Sequence, residues 1–288
     1  MATNTRALKR RITSLQNTAK ITKAMQLIAA SKMRRAQDMV IAGRPYAEKI
    51  EGLLADLAAI EHGEEEAAVP LLDIRPVIKT AIVLVTSDRG LCGGLNANMI
   101  RAAAAVIQEA DGEVTMISVG KKGRNFVVRS GTELLATFEG LGDRPTLDDT
   151  RPISSIVISE FEKRNIDRVL LGYTDFINTA VQKPVIKTLI PVEPAELEDN
   201  QAAGYIYEPS PRDVLEELLP RFVEMEIYHA ILESIASEHS ARMVAMQAAT
   251  DAASDLADDL TLALNKARQE SITAELLDIV GGVAAVER

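Results

Sequence analysis

The sequence predicts an α/β fold with a long α-helical coiled coil: a Rossmann-like, three-layer α/β domain inserted between long helices at the two ends of the chain. Three observations predict it. Apolar residues recur at steps of three and four through both ends. The middle alternates short apolar runs with helical stretches. Aromatics are only 3% of the 288 residues, with no Trp, although 47% are hydrophobic, as expected of long helices packed through Ala, Leu and Met. The expected divisions are an N-terminal coiled-coil helix at 1–60, a globular α/β domain at 76–195 and a C-terminal coiled-coil helix at 209–286.

The first helix is expected from about Thr5 to Ala59. Its apolar positions run Leu8, Ile12, Leu15, then Ile21, Met25 and Ile28, and resume with Ile50, Leu53, Leu54, Leu57 and Ile60 beyond Gly43 and Pro45. Pro45 is the expected place for a bend, because it lacks the N–H that a helix interior uses.

Lys79–Thr86 (KTAIVLVT) is a continuous apolar run, as in a strand buried on both faces. Ser87–Asn98 (SDRGLCGGLNAN) reads as a glycine-rich loop and Met99–Ala110 as helix. Val114–Val119 is a second strand, and Lys121–Arg129 a short helix. Residues 133–151 read as loop-rich, with Gly140, Gly142 and Pro145. Ile153–Arg164 is helical, and Arg168–Tyr173 is a third strand. A last strand within Val181–Val192 is placed at a sheet edge because it holds Pro184 and Pro191. Strand–helix alternation implies a largely parallel sheet.

The C-terminal helix starts well at Pro211. Steps of four and three from Leu218 give Phe222, Met225, His229, Leu232, Ala236, His239, Met243, Met246, Thr250, Ala253, Ala257, Leu260, Leu264 and Ala267. That is a sustained heptad pattern, the signature of a coiled coil. Gly281 and Gly282 are expected to weaken its end.

Charge separates the ends. Residues 1–44 carry +9, residues 208–288 carry −10, and the whole chain −10. A basic helix almost free of acids fits acidic protein partners, its own acidic C-terminal helix among them. Aromatics for base stacking or membrane anchoring are absent before Tyr46. A single cysteine, Cys92, allows no internal disulfide, and His62, His229 and His239 leave little for a metal site. No apolar run approaches the ~20 residues that span a bilayer.

Each candidate site has a plain structural reading. GLCGG follows a strand and precedes a helix, where α/β folds bind phosphate, but it matches neither GxGxxG nor a GK[ST] P-loop; a tight turn explains its glycines. Cys92 reads as a small buried residue. His229 and His239 read as interior positions of the heptad stripe, and Met225, Met243 and Met246 as core. No Ser/His/Asp set, carboxylate pair or cofactor site stands out.

Three motifs together carry a resemblance: RRITSLQNTAKITKAMQLIAASKMRRAQ at Arg10–Gln37, SDRGLCGGLN in the glycine-rich loop, and the terminal SEHSARMVAMQAATDAA with LNKARQESITAELLDIVGG. In order and over the whole chain they resemble the gamma subunits of bacterial F-type ATP synthases. The resemblance implies a rotor shaft: the terminal helices as an antiparallel coiled coil inside a hexamer of alpha and beta subunits, and the α/β domain at the foot of the shaft beside the epsilon subunit and the c-subunit ring. It implies no catalysis by this chain, no cofactor, and a peripheral location at the cytoplasmic face of the plasma membrane as part of the complex. It also implies residue roles. Met25 and Arg242 match coupling positions, Arg268 and Gln269 the pair that engages a beta subunit, and Tyr205, Tyr207 and Glu208 (YIYEP) the patch that meets the c-ring. The chain departs from the family's ATDNA by reading ATDAA at Ala249–Ala253, and it lacks the regulatory cysteine pair of chloroplast relatives. Two other readings stand beside this one: a nucleotide-binding α/β enzyme with coiled-coil arms, and a basic coiled-coil adaptor for nucleic acid or an anionic membrane.

Overall fold

A computed structural model describes residues 2–61, 69–193 and 207–286. In chain order it holds α1 (Ala2–Glu61), a 3-10 turn (Pro70–Leu72), β1 (Lys79–Val85), α2 (Leu95–Glu109), β2 (Glu113–Val119), α3 (Lys121–Ser130) and β3 (Glu133–Phe138). Then come α4 (Leu147–Glu162), β4 (Arg168–Phe176), β5 (Gln182–Ile190) and α5 (Pro211–Val286). The chain forms two compact units, Met1–Ala29 with Met243–Arg288, and Ala30–Arg242. Both α1 and α5 contribute residues to each.

The larger unit is built on one sheet with strand order β3-β2-β1-β4-β5. β1 lies parallel to β2 and β4, and β2 parallel to β3, while β5 closes an edge antiparallel to β4. Alternation along β1 builds a core on each face. Ile82 and Leu84 join Met116, with Met99 and Ala103 of α2 and Val127 of α3. Ala81, Val83 and Val85 face the other way, onto Ile153, Val157 and Phe161 of α4, Leu54 and Leu57 of α1, and Leu219 and Ile231 of α5. These are the three expected layers. α1 and α5 run in opposite directions across this face. Gly43 lies against His229, while Lys32, further back along α1, comes level with His239, further on along α5. Glycine at 43 permits this approach, since a Cβ there would stand 2.7 Å from the His229 ring and the ring would have to shift.

Several local readings are corrected. Residues 133–138, read as loop, form β3: at an edge, Glu133, Leu135 and Thr137 face solvent, so the run never looked continuously apolar. α4 begins at Leu147, six residues before Ile153, because Thr146 and Asp149 form a reciprocal capping box that outweighs Pro152. α2 begins inside the predicted loop, at Leu95. α1 continues through Pro45, and α5 through Gly281 and Gly282 to Val286.

In the smaller unit, α5 buries Met246, Ala253 and Ala257 and half-buries Met243, Thr250, Leu260, Leu264 and Ala267, the predicted heptad positions. On α1 the expected Leu8, Ile12, Leu15 and Met25 are half-buried, but Ile21 and Ile28 are not covered. Its stripe runs Leu8, Ile12, Leu15, Ala19, Thr22 and Ala29, whereas Ile21 and Ile28 are 61% and 56% exposed. Between Ala19 and Ala29 small residues occupy the seam, allowing close approach, while Ile21, Leu27 and Ile28 point outward. At the seam the hydroxyls of Thr22 and Thr250 meet at 2.7 Å.

Candidate functional site

Within the larger unit, chain order reverses between β1 and β4. The carboxyl ends of two such strands open the crevice in which doubly wound folds take ligands. Here the protein's own α5 packs over it, leaving a cavity of about 260 Å³ beneath. Past the last β1–β4 pair, Leu84 with Gly172, the Thr174 N–H donates to Ser234 Oγ (3.2 Å) and Ser237 Oγ donates to the Thr174 carbonyl (3.1 Å). Ser240 Oγ donates to the Thr179 carbonyl (2.8 Å) and accepts from Gln182 Nε2 (3.4 Å). The three serines, three residues apart, share one face of α5, and each satisfies a polar group at the end of the sheet.

The glycine-rich loop packs beside this face. Asn96 organises it, accepting from the Ser87 N–H (3.1 Å) and donating to Ser87 Oγ (2.7 Å) and Cys92 Sγ (3.2 Å). Leu91 (φ 62°) and Gly93 (φ 58°) make the turn. Cys92 is buried, and burial pushes its thiol pKa up. The loop presents the Gly90 carbonyl to α5, where Arg242 donates to it from Nε (3.3 Å) and Nη2 (3.1 Å). Arg242 Nη2 also donates to Glu238 Oε1 (2.5 Å). The loop's packed face therefore offers an oxygen to a guanidinium.

One turn back, Arg242 Nη1 lies 3.3 Å from His239 Nδ1. A guanidinium only donates, so Nδ1 accepts and the ring proton sits on Nε2, which donates to Asp143 Oδ1 (3.0 Å). The other Asp143 oxygen takes Lys32 Nζ at 2.6 Å. Burial lowers the His239 pKa, and the cations of Arg242 and Lys32 add to that against the opposing carboxylate. For Asp143, partial burial opposes ionisation, but the Lys32 hydrogen bond and the charges of His239 and Lys32 outweigh it and hold the pKa below the usual value. Glu238 goes the other way: burial raises its pKa despite Arg242. A third carboxylate, Asp88, joins the neighbouring turns by accepting from the N–H groups of Lys121 (3.0 Å) and Gly140 (2.9 Å). A cavity of about 260 Å³ remains among these groups.

The structure gathers only some of the expected site residues here. Arg242 is in the seat. Met25 is half-buried on α1 of the smaller unit, and Arg268 and Gln269 are both exposed on α5 of that unit. Tyr207 packs half-buried against the larger unit's core, Glu208 is exposed, and Tyr205 lies outside the described residues. Sequence reasoning missed Lys32, Asp143 and the three serines. The serines left a readable trace, polar residues three apart on a face of α5 otherwise rich in Ile and Ala.

These features define a class: an α/β protein whose ligand crevice serves as the mount for its own long helix. The family model described as ATP synthase matches residues 4–286. The ATP synthase gamma chain of Dehalococcoides mccartyi strain CBDB1 is 54% identical over 283 residues, covering 98% of this chain and 99% of the relative. That of Roseiflexus sp. strain RS-1 is 47% identical over 287 residues, covering 98% of each. The chain belongs to the ATP synthase gamma chain family. Solved structures share its fold. A chain from Euglena gracilis mitochondrial ATP synthase (OSCP/F1/c-ring, rotational state 3) has a TM-score of 0.70 at 20% identity, covering 99% of this chain and 95% of that one. One from the central stalk and c-ring of the Tetrahymena thermophila enzyme has 0.62 at 23%, covering 80% and 99%.

Proposed function

We propose that the chain is the central rotor shaft of an F-type ATP synthase, coupling proton flow through a membrane c-ring to ATP synthesis and hydrolysis in an alpha/beta hexamer. The carrying observation is that α5 is fastened across the crevice. The fold's customary ligand site holds Ser234, Ser237 and Arg242 of α5, so the α/β domain grips a helix where an enzyme of this fold would hold a substrate. The chain performs no chemistry itself and acts by presenting different surfaces to the subunits around it. The alpha and beta subunits surround the paired helices, and epsilon and the c-ring meet the α/β domain. Among the described residues no helix is long and apolar enough to cross a membrane; attachment is peripheral, through the complex, at the cytoplasmic face.

Residue roles follow the same reading. Arg268 and Gln269, exposed side by side, engage a beta subunit. Met25 and Arg242 serve coupling, Arg242 from inside the seat. Tyr205, Tyr207 and Glu208 meet the c-ring. The test is reconstitution with alpha and beta subunits and a reporter bead on the α/β domain. ATP should drive bead rotation, and ATP hydrolysis without rotation would overturn the proposal. Replacing Arg268 and Gln269 together by Ala should lower hydrolysis by the assembled complex more than it lowers assembly. The adaptor reading finds no support among the relatives, and the enzyme reading predicts ATP turnover by the isolated chain.

A further inference from the structure

We propose that Lys32 and Asp143 are positioning residues for energy coupling: the Asp143 carboxylate pins α1 and α5 to each other and to the carboxyl edge of the sheet, so that the helix pair and the α/β domain turn as one body. The inference rests on the rotor reading above. A single carboxylate reaches both helices, taking Lys32 of α1 on one oxygen and His239 of α5 on the other. It is carried by the loop between β3 and α4, which is tied back to the β1 end where Gly140 donates to Asp88. One turn further along α5, Arg242 fastens the same helix to the loop after β1. Two loops from the sheet thus hold the helices at two successive levels, and α5 cannot roll about its own axis without breaking both attachments. The serine contacts grip α5 alone. The Asp143 link takes in α1 as well. The cavity beside it is lined by two charge pairs, Lys32 with Asp143 and Glu238 with Arg242, together with Asp88, which takes backbone N–H groups, and the exposed Arg89.

The ion pair is partly open to solvent, with side chains 32% and 46% exposed. Exposed pairs of this kind add little to stability, so its loss should register in coupling before it registers in melting. The experiment uses the complete complex in proteoliposomes, reading proton uptake by quenching of a fluorescent amine and ATP hydrolysis in the same sample. Lys32→Met and Asp143→Asn should each lower the ratio of pumping to hydrolysis by about two- to threefold, with the thermal transition nearly unchanged. Lys32→Arg, which keeps the cation, should restore the ratio, and the double variant should be no worse than the poorer single one. A ratio equal to that of the unaltered complex in both single variants would overturn the inference, as would an equal loss in Lys32→Arg. Failure of the rotor reading itself would look different: the unaltered complex would hydrolyse ATP without pumping. Should Asp143→Asn impair assembly, Lys32→Met and Lys32→Arg decide the matter.

Discussion

One helix lives in two environments. From Phe222 to Arg242, α5 has no exposed residue: the sheet, α4 and α1 cover its large side chains, and the serine face is capped by the sheet end. From Val244 to Glu270 the same helix is covered only along a single stripe of mostly small residues, with Asp, Gln and Lys elsewhere. The heptad spacing does not change across the boundary, so periodicity sets which face is buried and side-chain size sets how much holds it. The first stretch is anchored by a core. The second has one partner helix and a thin seam.

That contrast can be broken experimentally. The largest effect should come from Leu219→Ala, which empties a fully buried site in the larger unit and should cost about 2–5 kcal/mol in denaturant unfolding. Leu262→Ala in the smaller unit, at a side chain 70% exposed, should shift stability by less than about 0.5 kcal/mol. Equal effects would erase the difference between the two stretches. Next, Ala253→Leu should force the seam apart and cost about 1–3 kcal/mol, read as loss of helical circular dichroism at lower temperature.

A pH titration sharpens the picture of the larger unit. The His239 pKa is depressed in the fold from its ordinary 6.5, so the unfolded chain takes up the proton first. Stability is full above about pH 6.5 and falls as pH drops through that range, by at most about 1.4 kcal/mol per pH unit for one proton. Lys32, Asp143, Arg242 and Glu238 all face the ring. Glu238, with its raised pKa, contributes with the opposite sign in a window opening upward from its ordinary 4.5. His239→Gln should flatten the slope between pH 7.5 and 6, and an unchanged slope would remove His239 as its source. A modest effect belongs to the seam: Thr22→Val, losing the hydroxyl pair with Thr250, should cost about 1 kcal/mol, with no change in the pH slope.

The legible parts of the fold are those where local pattern and tertiary packing agree. Lys79–Val85 was plain because a central parallel strand is apolar on both faces, and the α5 register because Leu, Met and Ala recur without interruption. Leu8, Ile12, Leu15 and Met25 were legible on α1, but the middle of its seam was hidden because the covered positions there are Ala19, Thr22 and Ala29, while Ile21 and Ile28 carry the apolar signal on the outer face. β3 was hidden by an exposed edge. The start of α4 lay in a capping pair that Pro152 masked. Of the seat, Arg242 was reached through the family resemblance. Lys32 and Asp143 were not, since an ion pair closing between a terminal helix and a mid-chain loop leaves no local mark. The GLCGG loop matches no phosphate fingerprint, but its role in offering a carbonyl acceptor to Arg242 emerged only with α5 in place.

The outward-facing branched side chains of the smaller unit, Ile21, Leu27 and Ile28 on α1 and Leu262, Leu276 and Leu277 on α5, set a condition on supply. Water is a poor neighbour for such a surface, and copies made faster than they are enclosed will adhere to one another. A cell that makes this chain therefore has reason to match its synthesis to that of whatever sheathes it.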